Sequence, residues 1–294
     1  MRNRRGFTLV EILVSLVIML IVSGAIYKML NSSQRLSRAQ AERVSLQSNV
    51  RSGALVVPTE LRELSTFVGG DVFQNDVLIT PVSGTDITYR AMRGIGFVCQ
   101  SSLTEIRLAR TTNSGTGLIG YSGYRDPEVP RDRIYVFIDG DESTTFDRWL
   151  ALTPTAVTTG NVCGGAPGIT LTVPSTLELA TLPLRTPVRI YEGMQLQLYV
   201  NGGKSWLGAK SVNVVGETFQ PVLGPLNDAN GLAFEYLNAT GGTATTLDAI
   251  KSIRVTIRGI TDQSINGGSG SSGALSSVHD SLVTQVVLRN AFRQ

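Results

Sequence analysis

The sequence predicts an α+β protein in which one long N-terminal helix packs on a mostly antiparallel β domain. Two patterns carry this prediction. The first is an apolar run at residues 7–26 that continues into an amphipathic helical stretch. The second is a series of short alternating segments, divided by Gly, Asn and Asp, that begins near Ile87. The 294 residues, 42% of them hydrophobic, are enough to bury one sizeable core or two small ones.

The apolar run is long enough to cross a bilayer. As a helix, residues 7–26 would span about 30 Å, which is close to one hydrocarbon thickness. Three arginines, Arg2, Arg4 and Arg5, precede the run. Because positive residues stay on the cytoplasmic side, we expect the N-terminus in the cytoplasm and everything after Lys28 outside. This is the topology of a single-pass protein of the inner (cytoplasmic) membrane.

The same three arginines account for the net charge. The formal charge is +3, from 26 basic and 23 acidic residues. Without residues 1–6 the basic and acidic side chains are equal in number, so the sequence pI of ≈ 9.0 reflects the leader. Composition therefore gives no reason to infer direct nucleic-acid binding.

One carboxylate, Glu11, lies inside the apolar run, one turn from its start. An unpaired charge at that depth costs several kcal/mol, so it needs a partner. If the peptide bond after Gly6 is cut, the new α-ammonium group of Phe7 lies at the same end of the helix. The two charges can then neutralise each other, within one helix or between stacked helices, where they would fix the register. An ordinary secretory signal is the alternative, since residues 22–25 loosely imitate its cleavage site.

The segment Arg4-Arg5-Gly6-Phe7-Thr8-Leu9-Val10-Glu11 closely resembles the class III signal of type IV prepilins and type II secretion pseudopilins. The resemblance combines a short basic leader, Gly followed by Phe, Glu five residues after the Gly, and a long apolar run. In that family a membrane aspartyl peptidase cleaves after the Gly and methylates the new N-terminal amine. The resemblance therefore implies cleavage after Gly6, methylation of Phe7 and an assembly role for Glu11. A plain membrane anchor with a chance Glu is the alternative.

Beyond the apolar run, apolar or small residues recur mostly at steps of three and four, which is typical of an amphipathic helix laid against a globular body. Pro58 should kink or end this helix, because its ring removes a donor and clashes with the preceding turn. Thr59 would then start a second short helix. The residues of the stripe are Leu36, Ala39, Leu46, Val50, Ala54, Val57, Leu61, Leu64 and Val68.

Seven later segments have the composition and alternation of β-strands: 105–110, 133–139, 169–173, 188–200, 232–237, 253–260 and 282–288. Half-buried antiparallel sheet explains this alternation. Asn201-Gly202-Gly203 is a hairpin turn signal. Residues 111–131 and 153–168 are predicted loops, and residues 267–273 a flexible connection.

The expected organisation has four regions. They are a cytoplasmic leader at 1–6, a transmembrane and filament-core helix at 7–27, a helical stem at 28–66 with a break near Pro58, and a β-rich periplasmic or extracellular domain at 67–294.

Two cysteines, Cys99 and Cys163, are far apart in the sequence, with no CxxC motif and only one histidine in the chain. A zinc site is therefore not expected. If the β domain is exported, a disulfide between them is the expected pairing, and it would stabilise the fold by about 3–5 kcal/mol in the chain-entropy model. Two separate buried thiols are the alternative.

The sequence contains few candidate residues for a metal or catalytic site. Asp139 and Asp141 are weak candidates for calcium ligands, because hard cations bind several carboxylate oxygens. A hairpin turn is the favoured interpretation of this segment. His279-Asp280-Ser281 has the residue types of a hydrolase triad, but adjacent strand residues point to opposite faces. We expect no catalytic residues, no cofactor and no enzymatic activity.

The order of segments in the C-terminal half is similar to that of PilW-type minor pilins and J-type pseudopilins. The segments are 220–222, 231–237, 253–257 and 287–290. The resemblance implies a minor pilin-like subunit that joins a type IV pilus-like filament or primes its assembly. A J-type pseudopilin of type II secretion and a membrane-tethered β binding domain are the alternatives. The implied partners are prepilin peptidase, other minor and major pilins or pseudopilins, the inner-membrane assembly platform, and the lipid bilayer before assembly.

Overall fold

The computed structural model describes residues 8–69, 72–78, 84–113, 115–140, 147–266 and 275–288. The chain divides into two compact units, one of Met1–Ser48 with Ile260–Asp280 and one of Asn49–Gly259 with Ser281–Gln294. Its elements are α1 (Leu9–Arg62), β1 (Thr66–Gly69), β2 (Val72–Asn75), β3 (Asp86–Ser101), β4 (Glu105–Ala109), β5 (Ser122–Gly123), β6 (Asp132–Ile138), β7 (Arg148–Leu152), β8 (Ala156–Val162), β9 (Ala166–Thr172), α2 (Leu177–Ala180), β10 (Pro187–Asn201), β11 (Lys204–Ser211), β12 (Gln220–Leu226), β13 (Leu232–Leu237), β14 (Ser252–Ile260), β15 (Ile265–Asn266), β16 (Leu275–Ser276) and β17 (His279–Val287).

The fully buried residues of the predicted stripe begin at Leu46. Leu46, Val50, Val57 and Leu61 are at most 3% exposed. Leu36, by contrast, is 61% exposed, so the amphipathic packing begins later in the helix than the sequence pattern indicates. The long helix and the mostly antiparallel β-sheet together confirm the α+β prediction.

The helix does not end at Pro58, and no second helix starts at Thr59. That part of the prediction is wrong. A proline inside a helix costs about 3 kcal/mol. The neighbouring Val57 and Leu61 side chains are 1% and 0% exposed, and burying two such side chains contributes about 3–6 kcal/mol. Packing therefore offsets the hydrogen bond that Pro58 removes, and α1 continues to Arg62.

In the first unit, the helix is tied to the segment after β14. The Glu42 carboxylate accepts hydrogen bonds from the backbone amides of Asp262, at 2.9 Å, and Gln263, at 3.3 Å. The Thr261 amide donates to the Val278 carbonyl, at 3.0 Å. The strands β15 and β16 pair within this same segment.

Within the described residues, thirteen strands form one sheet whose main order is β13-β14-β12-β11-β10-β3-β4-β9-β8. β10 is the central strand. Both halves pair with β3, while its first half also pairs with β6 and its second half with β11. β7 pairs with β6, and β17 pairs with β14.

The seven predicted strands are confirmed to within three residues at each end. The predicted turn is also confirmed, since Asn201 pairs with Lys204 across Gly202 and Gly203. Both glycines have positive φ, 61° and 75°, which a two-residue hairpin loop of this kind requires. Among the described residues of the predicted loop at 111–131, the two-residue strand β5 is the one named element. The predicted connection at 267–273 lies outside the described residues.

The predicted loop at 153–168 is wrong, because β8 and the start of β9 form a hairpin there. Most β8 side chains are exposed, so the strand lacks the alternation that marks a half-buried strand. It forms because it pairs with β9 along its whole length. The turn residues Cys163, Gly164 and Gly165 all have positive φ, at 49°, 80° and 92°.

The second unit contains two hydrophobic cores. One joins the end of α1, including Val57 and Leu61, to Tyr89, Phe234 and Tyr236 of the sheet. The helix approaches the sheet closely at Gly53, where a Cβ would meet the side-chain ends of Leu223 and Ile257 at 2.4 and 2.8 Å and would require them to shift. The other core lies among β3, β4, β6, β9, β10 and α2.

Cys99 and Cys163 form a disulfide, with their Cα atoms 5.7 Å apart. Cys99 lies near the end of β3 and Cys163 in the β8–β9 turn. The bond therefore ties the turn of the outermost hairpin to β3, which pairs with the central strand β10.

A buried network of ion pairs surrounds Glu192 of β10, whose side chain is 4% exposed. Its carboxylate accepts hydrogen bonds from Arg93 and Arg131, both at 2.8 Å, and from Arg125 at 3.4 Å. Burial alone would raise the pKa of Glu192, but the hydrogen bonds and charges of Arg93 and Arg131 outweigh it and hold that pKa below its usual value. Arg93 also pairs with Glu60 of α1, at 3.5 Å, so the network joins the helix to the sheet.

We predict that Glu192→Gln lowers the free energy of unfolding by about 3–5 kcal/mol, because it removes the buried carboxylate that three partly buried arginines share. Denaturant unfolding of the full chain in a fixed detergent measures the change. The pKa of Glu192 is depressed in the folded state, so its contribution is present above the ordinary value of 4.5 and is lost as the pH falls through the lower folded pKa. The difference between variant and wild type should therefore shrink in acid.

Glu235→Gln is the matched control, since Glu235 pairs with Arg254 at 2.8 Å and both side chains are about 40% exposed. An exposed pair of this kind contributes about 1 kcal/mol or less. Equal losses in the two variants would contradict the importance of the buried network.

We also predict that the double variant Cys99→Ala, Cys163→Ala loses about 3–5 kcal/mol of stability in the chain-entropy model, because the 64-residue loop is no longer closed. Reduction of the wild-type chain should lower the midpoint of unfolding by a similar amount and leave the double variant unchanged. A reductant effect of equal size in the double variant would show that the effect does not come from this disulfide.

Candidate functional site

The candidate site is the start of α1. Every residue from 9 to 30 is exposed, including large apolar side chains such as Leu9 at 75%, Ile18 at 56% and Met29 at 76%. Among the described residues, α1 is the helix whose length and apolar composition suit a membrane span. An apolar rod without surrounding protein is stable only in lipid or against other apolar rods.

The first turn of α1 is closed by Thr8 and Glu11. The Glu11 amide donates to the Thr8 hydroxyl oxygen, at 3.3 Å, and Glu11 Oε2 accepts from the Thr8 amide, at 3.1 Å. The Thr8 hydroxyl also lies 3.2 Å from the same Oε2. This reciprocal arrangement is a capping box, which satisfies backbone donors at a helix N-terminus. A carboxylate in the first turn also interacts favourably with the helix dipole.

The Glu11 carboxylate can accept further hydrogen bonds. Both donors to its carboxylate come from Thr8 and reach Oε2, and neither carries a full charge. In the part of the chain that the structure describes, Oε1 accepts no hydrogen bond and no cation pairs with the carboxylate. One turn further on, Ser15 donates its hydroxyl to the Glu11 carbonyl, at 2.7 Å, which satisfies a polar group within the apolar run.

The other predicted processing residues, Arg2, Arg4, Arg5, Gly6 and Phe7, lie outside the described residues. Thr8 is the second residue after the predicted cleavage point.

The weak metal candidates do not come together as a site among the described residues. Asp139 is exposed at the end of β6, and Asp141 lies outside those residues. Nearby, Asp147 accepts a hydrogen bond from the Gly140 amide, at 3.1 Å, which is the contact of a hairpin connection. No three His, Cys, Asp or Glu side chains of the described chain lie close enough to hold a metal ion.

A family profile described as the prokaryotic N-terminal methylation motif matches residues 1–27. The chain carries a prepilin-type methylation signal. The match covers Gly6, Phe7, Glu11 and the apolar run, and it supports a type IV pilin-like or pseudopilin-like protein that is processed by prepilin peptidase. No curated protein and no solved structure matched the chain.

Sequence reasoning identified Glu11 as a charge in need of a partner but missed its second role as a capping residue. The signal was present, since Thr8-Leu9-Val10-Glu11 has the spacing of a capping box immediately before an apolar run. Glu11 therefore has two separable properties, an oxygen that caps the helix and a negative charge.

We predict that Thr8→Ala increases hydrogen–deuterium exchange of the first-turn amides about fivefold, because losing an N-cap costs about 1 kcal/mol. Mass spectrometry of peptides covering residues 8–15 of the full chain in detergent measures the change. Thr8→Ser keeps the hydroxyl and should exchange like the wild type. If the Ala and Ser variants exchange alike, the capping box does not stabilise this turn.

Proposed function

We propose that this protein is a structural subunit of a type IV pilus-like filament and has no enzymatic activity. The precursor inserts with its N-terminus in the cytoplasm, is cleaved after Gly6 and methylated at Phe7, and then moves from the membrane into the filament. The observation that carries the proposal is the combination of the methylation motif with an apolar stem exposed along residues 9–30 and interrupted by one carboxylate.

The exposed stem supports assembly because it is apolar on all sides. A helix that only bound its own domain would need one apolar face. Bundling with identical or related stems buries the whole surface when the subunit leaves the lipid. The predicted processing site and the Glu11 charge both lie at the N-terminal end of the apolar run. A helix that served only as a membrane anchor would require neither.

Electrostatics supports the role of Glu11 in register. Cleavage after Gly6 creates an amine on Phe7, three covalent bonds from the Thr8 nitrogen that already donates to Glu11 Oε2. The amine therefore begins near the carboxylate of its own chain, while Oε1 remains open to a neighbouring stem. Opposite charges attract strongly in a low-dielectric surrounding, so a stack that pairs them is favoured over one that does not.

Within this class we propose a PilW-type minor pilin, with a J-type pseudopilin as the alternative. The segments that carry the resemblance belong to adjacent strands, since β12 and β13 both pair with β14. The proposal includes contact with other minor pilins near the start of the filament. In the resembling family the outermost tip component typically lacks the stem Glu, so Glu11 favours a place below the tip or in the shaft.

We predict that Glu11→Gln reaches the membrane and is processed but falls at least about tenfold in sheared filaments, because it keeps a capping oxygen and loses the charge. Immunoblots of membrane and filament fractions measure the ratio. Thr8→Ser, which leaves Glu11 intact, is the control and should assemble normally.

Two results would contradict the proposal. Wild-type levels of Glu11→Gln in filaments would show that the charge does not direct assembly. Absence of the wild-type chain from filaments, in cells that make them, would leave a membrane-tethered β binding domain.

A further inference from the structure

We infer that the second unit has a binding site for an apolar molecule that carries a carboxylate group, in a cavity beside the disulfide. The cavity has a volume of about 570 Å³, within the range of small-ligand pockets. Four chain segments line it: residues 97–100 at the end of β3, the loop 116–119, the β8–β9 turn, and residues 184–185 before β10.

The walls of the cavity are mainly apolar. Phe97, Leu118, Ile119 and Leu184 line it together with the disulfide. Leu184 is 73% exposed and Ile119 36%, so the apolar surface is open to a ligand. Covering such surface contributes about 25 cal/mol per Å².

Arg185 is the one charged residue among the lining residues. Its Nε donates to the Gly117 carbonyl, at 3.0 Å, which leaves the Nη donors for a ligand. No carboxylate of the described residues lies within ion-pair distance of this guanidinium. Other arginines of the unit do have such carboxylate partners, namely Arg93, Arg107, Arg110, Arg125, Arg131, Arg148 and Arg254.

The backbone holds Arg185 in an unusual conformation. Its φ of 68° lies in the left-handed region, which is uncommon for a residue with a side chain and costs about 1–3 kcal/mol. The Arg185 amide donates to the Val98 carbonyl, at 2.7 Å, and fixes the segment to β3. Gly117, with φ of 70°, leaves room for the guanidinium, since a Cβ there would collide with Arg185.

The ligand chemistry follows from this placement. A guanidinium offers two parallel N–H donors that match a carboxylate. The surrounding apolar walls favour a hydrophobic body attached to that group. A free apolar acid and the C-terminal residue of a polypeptide share this chemistry.

The test uses the full chain in lipid nanodiscs, with empty nanodiscs to subtract partition into lipid. Fluorine NMR line broadening measures binding of 4-fluorophenylacetate and of the neutral 4-fluorophenylacetamide. The wild type should bind the acid about tenfold more tightly than the amide, as expected for a charged hydrogen bond. Equal binding of acid and amide, or no saturable binding of either, would overturn the inference.

Arg185→Gly removes the guanidinium and suits the positive φ, so the variant should fold and lose the preference for the acid. Arg254→Ala, which removes a paired arginine away from the cavity lining, should keep that preference. Persistence of the preference in Arg185→Gly would exclude Arg185 as its cause. Competition by an acetylated dipeptide ending in leucine, compared with its amidated form, identifies whether a polypeptide C-terminus or a free acid binds better.

Discussion

One constraint governs the N-terminal part of this protein: none of the described chain covers the apolar helical surface that carries Glu11. Residues 9–30 are exposed on every side, and Glu11 lies within them. Water disfavours the apolar surface, and lipid disfavours the charge. The proposed stack of similar stems would satisfy both, because it would cover the surface and pair the carboxylate with an amine. The methylation motif at residues 1–27 fits this solution, since cleavage supplies that amine.

In the second unit, ion pairs, apolar packing and a disulfide stabilise one large sheet. Its central strand, β10, pairs with three neighbours. Glu192 on that strand forms ion pairs with three arginines. One of them, Arg93, also pairs with Glu60 near the end of α1. Apolar packing around Val57 and Leu61 reinforces the same junction strongly enough to keep Pro58 within the helix. The disulfide fixes the far hairpin, and the cavity with Arg185 lies beside it.

The long helix, seven of the seventeen described strands and the N-terminal motif that contains Glu11 were predictable, because each depends on a local pattern. The 3.6-residue period, the two-residue alternation and the spacing from Gly6 to Glu11 are visible in the sequence alone. Features that depend on distant partners were not. The sequence did not predict β8, because its residues do not alternate between apolar and polar. The strand forms because it pairs with β9. β3 was not among the predicted strands, because Gly94 and Gly96 interrupt the pattern of apolar side chains that marks a strand. Arg185 meets Gly117 only in the folded chain, so no sequence pattern indicated the cavity.

The most direct test of the account is mass spectrometry of the N-terminal peptide, from full chain recovered from both membranes and sheared filaments. The account predicts a chain that begins at an N-methylated Phe7 in both fractions. That terminus would establish processing at Gly6 and would supply the amine that the proposal pairs with Glu11. An intact Met1 terminus would contradict the account, because Phe7 would then carry no amine to pair with Glu11. A cleavage near Ala25 would contradict it as well, because it would remove Glu11 from the mature chain.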